Sequence, residues 1–510
     1  MGRSHVSRRG WLQSTASLGV AAVGSVGPQR NILRAAGAPA MGIVSGRRQL
    51  FFDDAHIQES RGLTRTMHQP VKRGAVVMPD QSWETSLQTR CVPAWDERRG
   101  IYKLWMITST NLPDPNTKGA TIAGTTYAES EDGIVWRKPV LRQWRVNGSL
   151  ENNFVAVNPQ HSWPQNGIEN VVCDPDDPDP ARRYKGFYGV HGRRPMVGPD
   201  GVHWRLLEAP KLPSSDESNL SYDRRRRTFI ATLKRGGPHG RSHAIWSSRD
   251  FSNWNNLQTL FHADQIDQQR AVENINARLA DQRFQQPVHR RPSDYNADIY
   301  NLGIFAYEDW YIGMPAVYHA TGKVPSGNTD GFHLIQLACS RDLRSWERLG
   351  DRRPFIGPSP VTPNAWDRVQ LLPPSAPVVR GDELWFYYTG IKYRTRPADS
   401  DEKAGAVCLA VLRRDGFVSL DAGAKAGSLT TTLFRWPSGT LHLNVDASQG
   451  EVRVDVVDAD GRVLSRSKPI HGNRLSAEVS LESPIDPNRP VALQLMVRAA
   501  RLYSYWFADG

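Results

Sequence analysis

Ser130-Glu131-Asp132-Gly133-Ile134-Val135-Trp136 has the form S-x-D-G-x-x-W, and the chain keeps returning to it. Pro199-Asp200-Gly201-Val202-His203-Trp204 repeats its second half. Ser248-Arg249-Asp250-Phe251-Ser252-Asn253-Trp254 and Ser340-Arg341-Asp342-Leu343-Arg344-Ser345-Trp346 repeat it with the Gly replaced. Arg414-Asp415-Gly416-Phe417 is a fifth, truncated copy. A constant phrase at irregular spacing marks one structural unit with variable loops between its copies.

Working outward, a short aromatic and β-branched run precedes each copy. These runs are Tyr102-Lys103-Leu104-Trp105-Met106-Ile107, Tyr184-Lys185-Gly186-Phe187-Tyr188, Thr228-Phe229-Ile230-Ala231-Thr232, Trp310-Tyr311-Ile312-Gly313-Met314 and Leu384-Trp385-Phe386-Tyr387-Tyr388. Such composition reads as strand. Before each run stands a turn rich in Asp, Gly or Arg, such as Asp96-Glu97-Arg98-Arg99-Gly100 or Arg380-Gly381-Asp382, and before each turn another strand-like run. The unit is therefore strand, tight turn, strand, loop, strand, D-G turn, Trp. The expected fold is all-β: five four-stranded blades in a β-propeller, followed by a C-terminal β-sandwich. The recurring Asp is expected to bond turn amides and the Trp to pack between blades.

Boundaries follow from texture. Residues 1–40 hold Ser7-Arg8-Arg9-Gly10-Trp11-Leu12-Gln13, an apolar run from Leu18 to Val26 and Ala38-Pro39-Ala40. This pattern is similar to a twin-arginine export signal and predicts an exported protein, periplasmic or extracellular. The apolar run is too short for a membrane span, so no stable membrane insertion is expected. The propeller is expected over 46–415. Within it, Arg48 to Ile57 reads as a strand that closes the ring. Asp264 to Asn296 reads as an insertion, helical from Gln269 to Phe284. The alternating strands after residue 416 form the sandwich.

With 64 Lys and Arg against 52 Asp and Glu, the chain carries a net charge of +12. That suits an acidic partner such as an anionic polysaccharide. No nucleic-acid-binding motif accompanies it, so nucleic acid is not expected. There is no P-loop and no dinucleotide fingerprint, so no cofactor is implied. The four cysteines, Cys91, Cys173, Cys339 and Cys408, are isolated, which argues against a metal site. Each reads as a small buried apolar residue, with a Cys91–Cys173 pairing left open.

A resemblance rests on Tyr127-Ala128-Glu129-Ser130-Glu131-Asp132-Gly133-Ile134-Val135-Trp136 and on the tail Asp415-Gly416-Phe417-Val418-Ser419-Leu420-Asp421-Ala422-Gly423, continued by Leu443-Asn444-Val445-Asp446-Ala447-Ser448 and Leu502-Tyr503-Ser504. These stretches resemble glycoside hydrolase family 32. Leu50-Phe51-Phe52-Asp53-Asp54, Trp83-Glu84 and Arg413-Arg414-Asp415-Gly416-Phe417 resemble exported bacterial proteins related to families 32 and 43. The resemblance implies the propeller-plus-sandwich fold and a carbohydrate-active site in the axial funnel. The W-M-N-D-P-N-G, R-D-P and E-C motifs of family 32 are absent, so fructan cleavage is not implied.

In such a funnel the acids stand at the starts of the innermost strands. The sequence offers Glu84, Glu169, Asp216 with Glu217, Asp294 with Asp298, and Asp367, one or two per blade. Glycoside hydrolysis needs a carboxylic acid to protonate the leaving oxygen and a second carboxylate as nucleophile or base. Glu84, Asp216 and Asp298 are the first candidates, with Asp367 and Glu169 as substitutes. Asp53, Asp54 and Glu308 read as structural. Trp83, Trp163 and Trp366 are candidate sugar platforms. Asn152, Asn153, Asn219 and Gln370 are candidate hydroxyl ligands, and Arg90 and Arg368 candidate partners for a uronate or sulfate. The expected activity is hydrolysis of a plant or algal oligo- or polysaccharide. The alternatives are a carbohydrate-binding propeller without catalysis and, third, a sialidase-like enzyme.

Overall fold

The computed structural model describes residues 43–114, 118–157, 167–397 and 400–508. The export-like segment 1–40 and Trp163 lie outside the described residues. What is described is nearly all strand, with one α-helix, Gln265–Ala280, among the described residues. No helix of the described residues is long and apolar enough to cross a membrane.

Between residues 71 and 413 the strands fall into four sheets, which divide along the chain into five groups. Ile168–Cys173, Tyr184–Tyr188, Arg194–Gly198 and Arg205–Leu206 form one four-stranded sheet, and Ser218–Asp223, Thr228–Gly237, Gly240–Ser248 and Asn255–Phe261 form the next. Asn296–Tyr307 opens a five-stranded sheet. The first and last groups, opened by Glu84–Gln88 and Gln370–Leu372, belong to one nine-stranded sheet, joined by the parallel pairing of Gly405 with Ser86.

Adjacent groups bond to one another in a closed circuit. Thr389 donates to the Thr89 carbonyl at 2.9 Å. The Val171 amide reaches Cys91 Sγ at 3.2 Å, and Ser218 Oγ reaches Asn170 Oδ1 at 2.5 Å. Asn219 donates to Asn301 Oδ1 at 3.3 Å, and the His333 amide to the Val369 carbonyl at 2.9 Å. All four cysteines are free thiols, so Cys91 and Cys173 do not pair.

Each complete D-G phrase builds the same turn. Asp132 Oδ1 accepts from the amides of Ile134 and Val135, both at 2.8 Å, while Trp136 Nε1 donates to the Gly133 carbonyl at 3.1 Å. Asp250 and Asp342 accept from the equivalent amides, and Trp254 and Trp346 donate to Phe251 and Leu343. The residue after Asp has positive φ in all four copies: Gly133 75°, Gly201 85°, Phe251 65° and Leu343 64°. Glycine is obligatory in two of them for a second reason. A Cβ on Gly133 would sit 2.5 Å from the Tyr387 hydroxyl, and one on Gly201 2.4 Å from the Trp105 ring. Those same neighbours bond the turns, Tyr387 to the Gly133 carbonyl at 2.8 Å and Trp105 to that of Gly201 at 2.7 Å. The turn is thus the clasp between adjacent groups.

The truncated copy departs from this. Asp415 is fully buried and accepts from Arg48 at 2.7 Å, Tyr307 at 2.6 Å and Ser504 at 2.6 Å. It ties the ring of groups to the C-terminal strands instead of closing a turn.

Two boundary expectations are corrected. Arg48 to Ile57 does not close the ring. Gln49 and Leu50 pair with Tyr505 and Ser504, and Ile57–Arg61 pairs with Gly427–Thr431. Alternation explains this: Phe51 enters the C-terminal core while Leu50 and Phe52 enter the ring core, so the stretch is shared between both. The outermost strand of the last group is Val71–Val77, which pairs along Gly405–Arg413. Beyond it, where two facing sheets are expected, a single eleven-stranded sheet curls on itself. Its long strand Thr440–Val457 pairs with Ala500–Ala508 through its first half and with Pro490–Arg498 through its second. Leu443, Val445, Val454, Leu493 and Leu502 fill the concave side. The helix begins earlier than its periodicity suggests because Asp264 and Asp267 form a reciprocal capping box at its start.

Candidate functional site

Several candidate acids stand at or near the starts of the opening strands. Irregular pairing marks two of those strands. In the second group Phe187 pairs with Asn170 and Tyr188 with Ile168, leaving Glu169 as an extra residue. In the fourth, Ile299 pairs with Val317 and Asn301 with Ala316, leaving Tyr300 extra. Such bulges redirect a side chain and release its backbone from the ladder.

Glu169 and Glu217 meet here among cations. Arg193, fully buried, donates to Glu169 Oε2 at 2.7 Å and to the Asp216 carbonyl at 2.9 Å. Arg90 holds Glu217 with two bonds, Nε at 2.8 Å and Nη2 at 2.7 Å, and Asn301 adds a third at 2.9 Å. The two acids are driven apart in acidity. Burial lifts Glu169 above the usual carboxylate range, and the nearby Glu217 and Asp216 outweigh part of the pull of Arg193 and Arg90. Burial acts the same way on Glu217, but the charge and hydrogen bonds of Arg90 overcome it and hold Glu217 low. Asp216 faces solvent, its side chain 52% exposed, and takes a bond from Lys234 at 2.9 Å.

Asp298 stands one step outward, where Arg241 donates to Oδ2 at 2.8 Å and Oδ1 is buried with no hydrogen-bond partner. Burial raises its carboxyl against the pull of Arg241.

The other two candidate acids are not with these. Glu84 is buried and accepts from Lys138 at 2.7 Å and from the amides of Asp80 and Gln81. Burial raises its carboxyl, partly offset by Lys138. Its partners Lys138 and Asp80 also line, with Trp136 and Trp385, a cleft of about 730 Å³ between the first and last groups. Asp367 is buried against Lys72 and Tyr388, each at 2.7 Å.

Several expected ligands are committed to structure. Arg90 is 2% exposed and saturated by Glu217. Arg368 is spent on the carbonyls of Ala365 and Thr362. Asn152 and Asn153 donate to the carbonyls of Trp144 and Tyr127, both at 2.8 Å. Asn219 bonds Asn301 within the circuit between groups. Trp83 stacks on Phe154 at 5.3 Å, and Trp366 is covered by Lys392 at 4.1 Å. Gln370 stays near the opening, accepting from Arg394 at 3.2 Å. Asp53, Asp54 and Glu308 bond Arg341, Arg65 and the Arg48 amide. Asp294 accepts from the Lys323 amide.

Sequence reading missed Arg193, Lys234, Arg241, Tyr300 and Arg394. The four cations lie on second and third strands or in connecting loops, where no repeat marks them. Only Tyr300 had a signal, as an aromatic beside Asp298 near the start of an opening strand. Among the described residues no group of three or more His, Cys, Asp or Glu side chains is arranged to hold a metal ion.

No family model matches the chain, and no curated protein matches its sequence. Solved structures similar to it include glycoside hydrolases, family 43 among them. A family 43 arabinoxylan arabinofuranohydrolase from Bacillus subtilis, in complex with cellotetraose, is 10% identical with a TM-score of 0.34, over 86% of this chain and 99% of that one. An N-acetylgalactosamine deacetylase from F. plautii, in complex with blood group B trisaccharide, is 14% identical with a TM-score of 0.38, over 70% of this chain and 97% of that one. A putative glycosidase from Bacteroides thetaiotaomicron is 12% identical with a TM-score of 0.38, over 66% and 93%. Superposition this shallow transfers no residue and no activity.

Proposed function

We propose that the chain is an exported glycoside hydrolase on a five-bladed propeller, cleaving O-glycosidic bonds of a plant or algal glycan at the axial end of the ring. The five strand groups are its blades, and the curled C-terminal sheet packs beside them in the place of a sandwich. The observation that carries the reading is the Glu169 and Glu217 pair. Acids whose surroundings push their acidities apart are how one site runs acid and base chemistry at one pH. Glu169, lifted by burial, is the general acid that protonates the leaving oxygen. Glu217 stays ionised and is locked by three hydrogen bonds, so it tunes Glu169 by charge. Asp216, beside Glu169 through Arg193 and open to solvent, is the second carboxylate. Asp298 offers an unpaired oxygen to a sugar hydroxyl. Glu84 and Asp367 act in the structure.

The test is hydrolysis of aryl glycosides and of plant and algal polysaccharides by the mature protein, beside Glu169→Gln, Asp216→Asn and Glu84→Gln. Loss of turnover in the first two, with melting unchanged, supports the reading. Turnover that survives Glu169→Gln overturns this assignment.

A second reading, a carbohydrate-binding propeller without catalysis, is favoured by one observation. All five candidate carboxylates form ion pairs: Glu84 with Lys138, Glu169 with Arg193, Asp216 with Lys234, Asp298 with Arg241 and Asp367 with Lys72. Glycan binding with no turnover on any substrate would select it.

A further inference from the structure

Three cations converge on one aromatic ring beside the axial acids. Lys234 Nζ lies 4.0 Å from the Tyr300 ring centre, and the guanidinium carbons of Arg241 and Arg394 lie 5.2 Å and 5.5 Å from it. They come from separate parts of the chain. Lys234 and Arg241 sit on paired strands of the third group, and Arg394 on the loop after Glu383–Ile391 in the fifth. Gly240 makes the convergence possible. Its φ is +109°, and a Cβ there would stand 3.0 Å from Asp298 Oδ2, so only glycine lets Arg241 dock on Asp298.

Like charges gathered round one ring repel and need compensation. Two are offset by carboxylates, Lys234 by Asp216 and Arg241 by Asp298. Arg394 has no carboxylate partner among the described residues. It donates to Gln370 Oε1 at 3.2 Å and to the Thr329 carbonyl at 3.4 Å. By direct ion pairs, Arg394 is the one cation of the three left uncompensated.

Unpartnered polar atoms adjoin it. Asp298 Oδ1 has no hydrogen-bond partner, and neither nitrogen of the fully buried His333 has one. The His333 ring packs on Tyr300 at 4.7 Å and on Tyr318 at 4.9 Å, and those two rings carry Arg241 and Arg394. Arg241 remains 27% exposed and Arg394 half-buried, so an anion can reach both.

We infer that Arg241, Arg394 and Lys234 around Tyr300 form a subsite for the anionic group of an acidic glycan, a uronate carboxylate or a sulfate ester. This rests on the reading of the axial end as a glycan site, and it names the substrate class. The uncompensated cation supplies the charge, and the planar guanidinium forks suit a carboxylate or sulfate. The unpaired Asp298 oxygen accepts from a hydroxyl of the same sugar. The subsite joins the acids through Lys234, Asp216 and Arg193.

The test reads binding, so it does not depend on turnover. Oligogalacturonate, oligoalginate and sulfated galactan oligosaccharides would be titrated against the full protein beside methyl-esterified or desulfated counterparts. The variants are Arg394→Gln, which leaves no described acid unpaired, and Arg394→Lys. The expected result is at least tenfold tighter binding of one anionic class than of its neutral counterpart. That preference should be lost in Arg394→Gln, partly regained in Arg394→Lys, and weakened by salt. Whether the uronate or the sulfated arm responds identifies the anion. No preference for any anionic arm overturns the inference, as does a preference that Arg394→Gln leaves unchanged. Hydrolysis of neutral glycans alone would also overturn it while leaving the hydrolase reading standing. Anionic binding without turnover would do the reverse.

Discussion

The D-G turns and the starts of the opening strands lie in the same repeating groups, and they differ in kind. The turns are alike: Asp132, Asp250 and Asp342 accept equivalent amides, and Trp136, Trp254 and Trp346 donate to equivalent carbonyls. The strand starts are unlike: Glu169 and Tyr300 sit on bulges, Glu217 lies in an Arg90 fork, and Glu84 and Asp367 are buried in separate ion pairs. What repeats is held by local backbone bonding that any group can reproduce. What varies is held by side chains distant in sequence, such as Arg193 for Glu169, Lys138 for Glu84 and Arg90 for Glu217, and only that variation can assemble a specific site.

The largest expected effect tests the variable region. Glu169→Gln should lower turnover about 10²- to 10⁴-fold, the range for losing a general acid, while the melting temperature holds. Assay on any hydrolysed substrate decides it. If the melt collapses instead, Glu169 belongs with the structural acids and the contrast narrows.

Next is Arg90→Met, which strands Glu217 without its buried partner. Breaking such a pair costs about 3–5 kcal/mol. Denaturant unfolding should show a loss of that order, and a smaller one for Arg90→Met with Glu217→Gln. A near-zero effect would mean the centre of the ring is more plastic than the fork suggests.

The third prediction probes the repeated region. Gly133→Ala meets both positive φ and the Tyr387 hydroxyl at 2.5 Å, whereas Gly100→Ala meets positive φ in open space. The first should cost about 2–3 kcal/mol and the second about 1 kcal/mol, given the usual left-handed penalty. Adding Tyr387→Phe should recover part of the difference. Equal losses would show that the clasp does not constrain the turn.

The last prediction is a pH dependence. Burial lowers His243 and His319 to about 4, with Lys234 adding to the effect at His243. Between about pH 4 and 6.5 the unfolded chain binds protons that these buried rings do not. Stability should therefore rise with pH across that window, by about 1.4 kcal/mol per pH unit for each histidine. Unfolding at pH 5, 6 and 7 measures the slope, and His319→Phe should remove one histidine's share.

How much was legible follows the same divide. The all-β strands and their turns could be read because S-x-D-G-x-x-W encodes its own hydrogen bonds within seven residues. Glu169, Asp216, Glu217 and Asp298 could be named because acids before opening strands share a sequence position. Their surroundings could not be read. Glu84 and Glu169 look alike in sequence, yet Lys138 claims one and a bulge presents the other. Arg193, Arg241 and Arg394 carried no signal, since each is far in sequence from the acid or ring it meets.

The sequence alone determined an all-β chain of repeated units and a set of acids spaced through them, because strand alternation, turn chemistry and repetition act over a few residues. Tertiary structure decided that Val71–Val77 and not Arg48 to Ile57 completes the last group, that the C-terminal strands curl into one sheet, and that Glu169 and Glu217 come together while three cations gather round Tyr300. The physical reason is reach. Ion pairs and close packing link residues tens to hundreds of positions apart, and which of many similar side chains meet depends on the whole chain being folded.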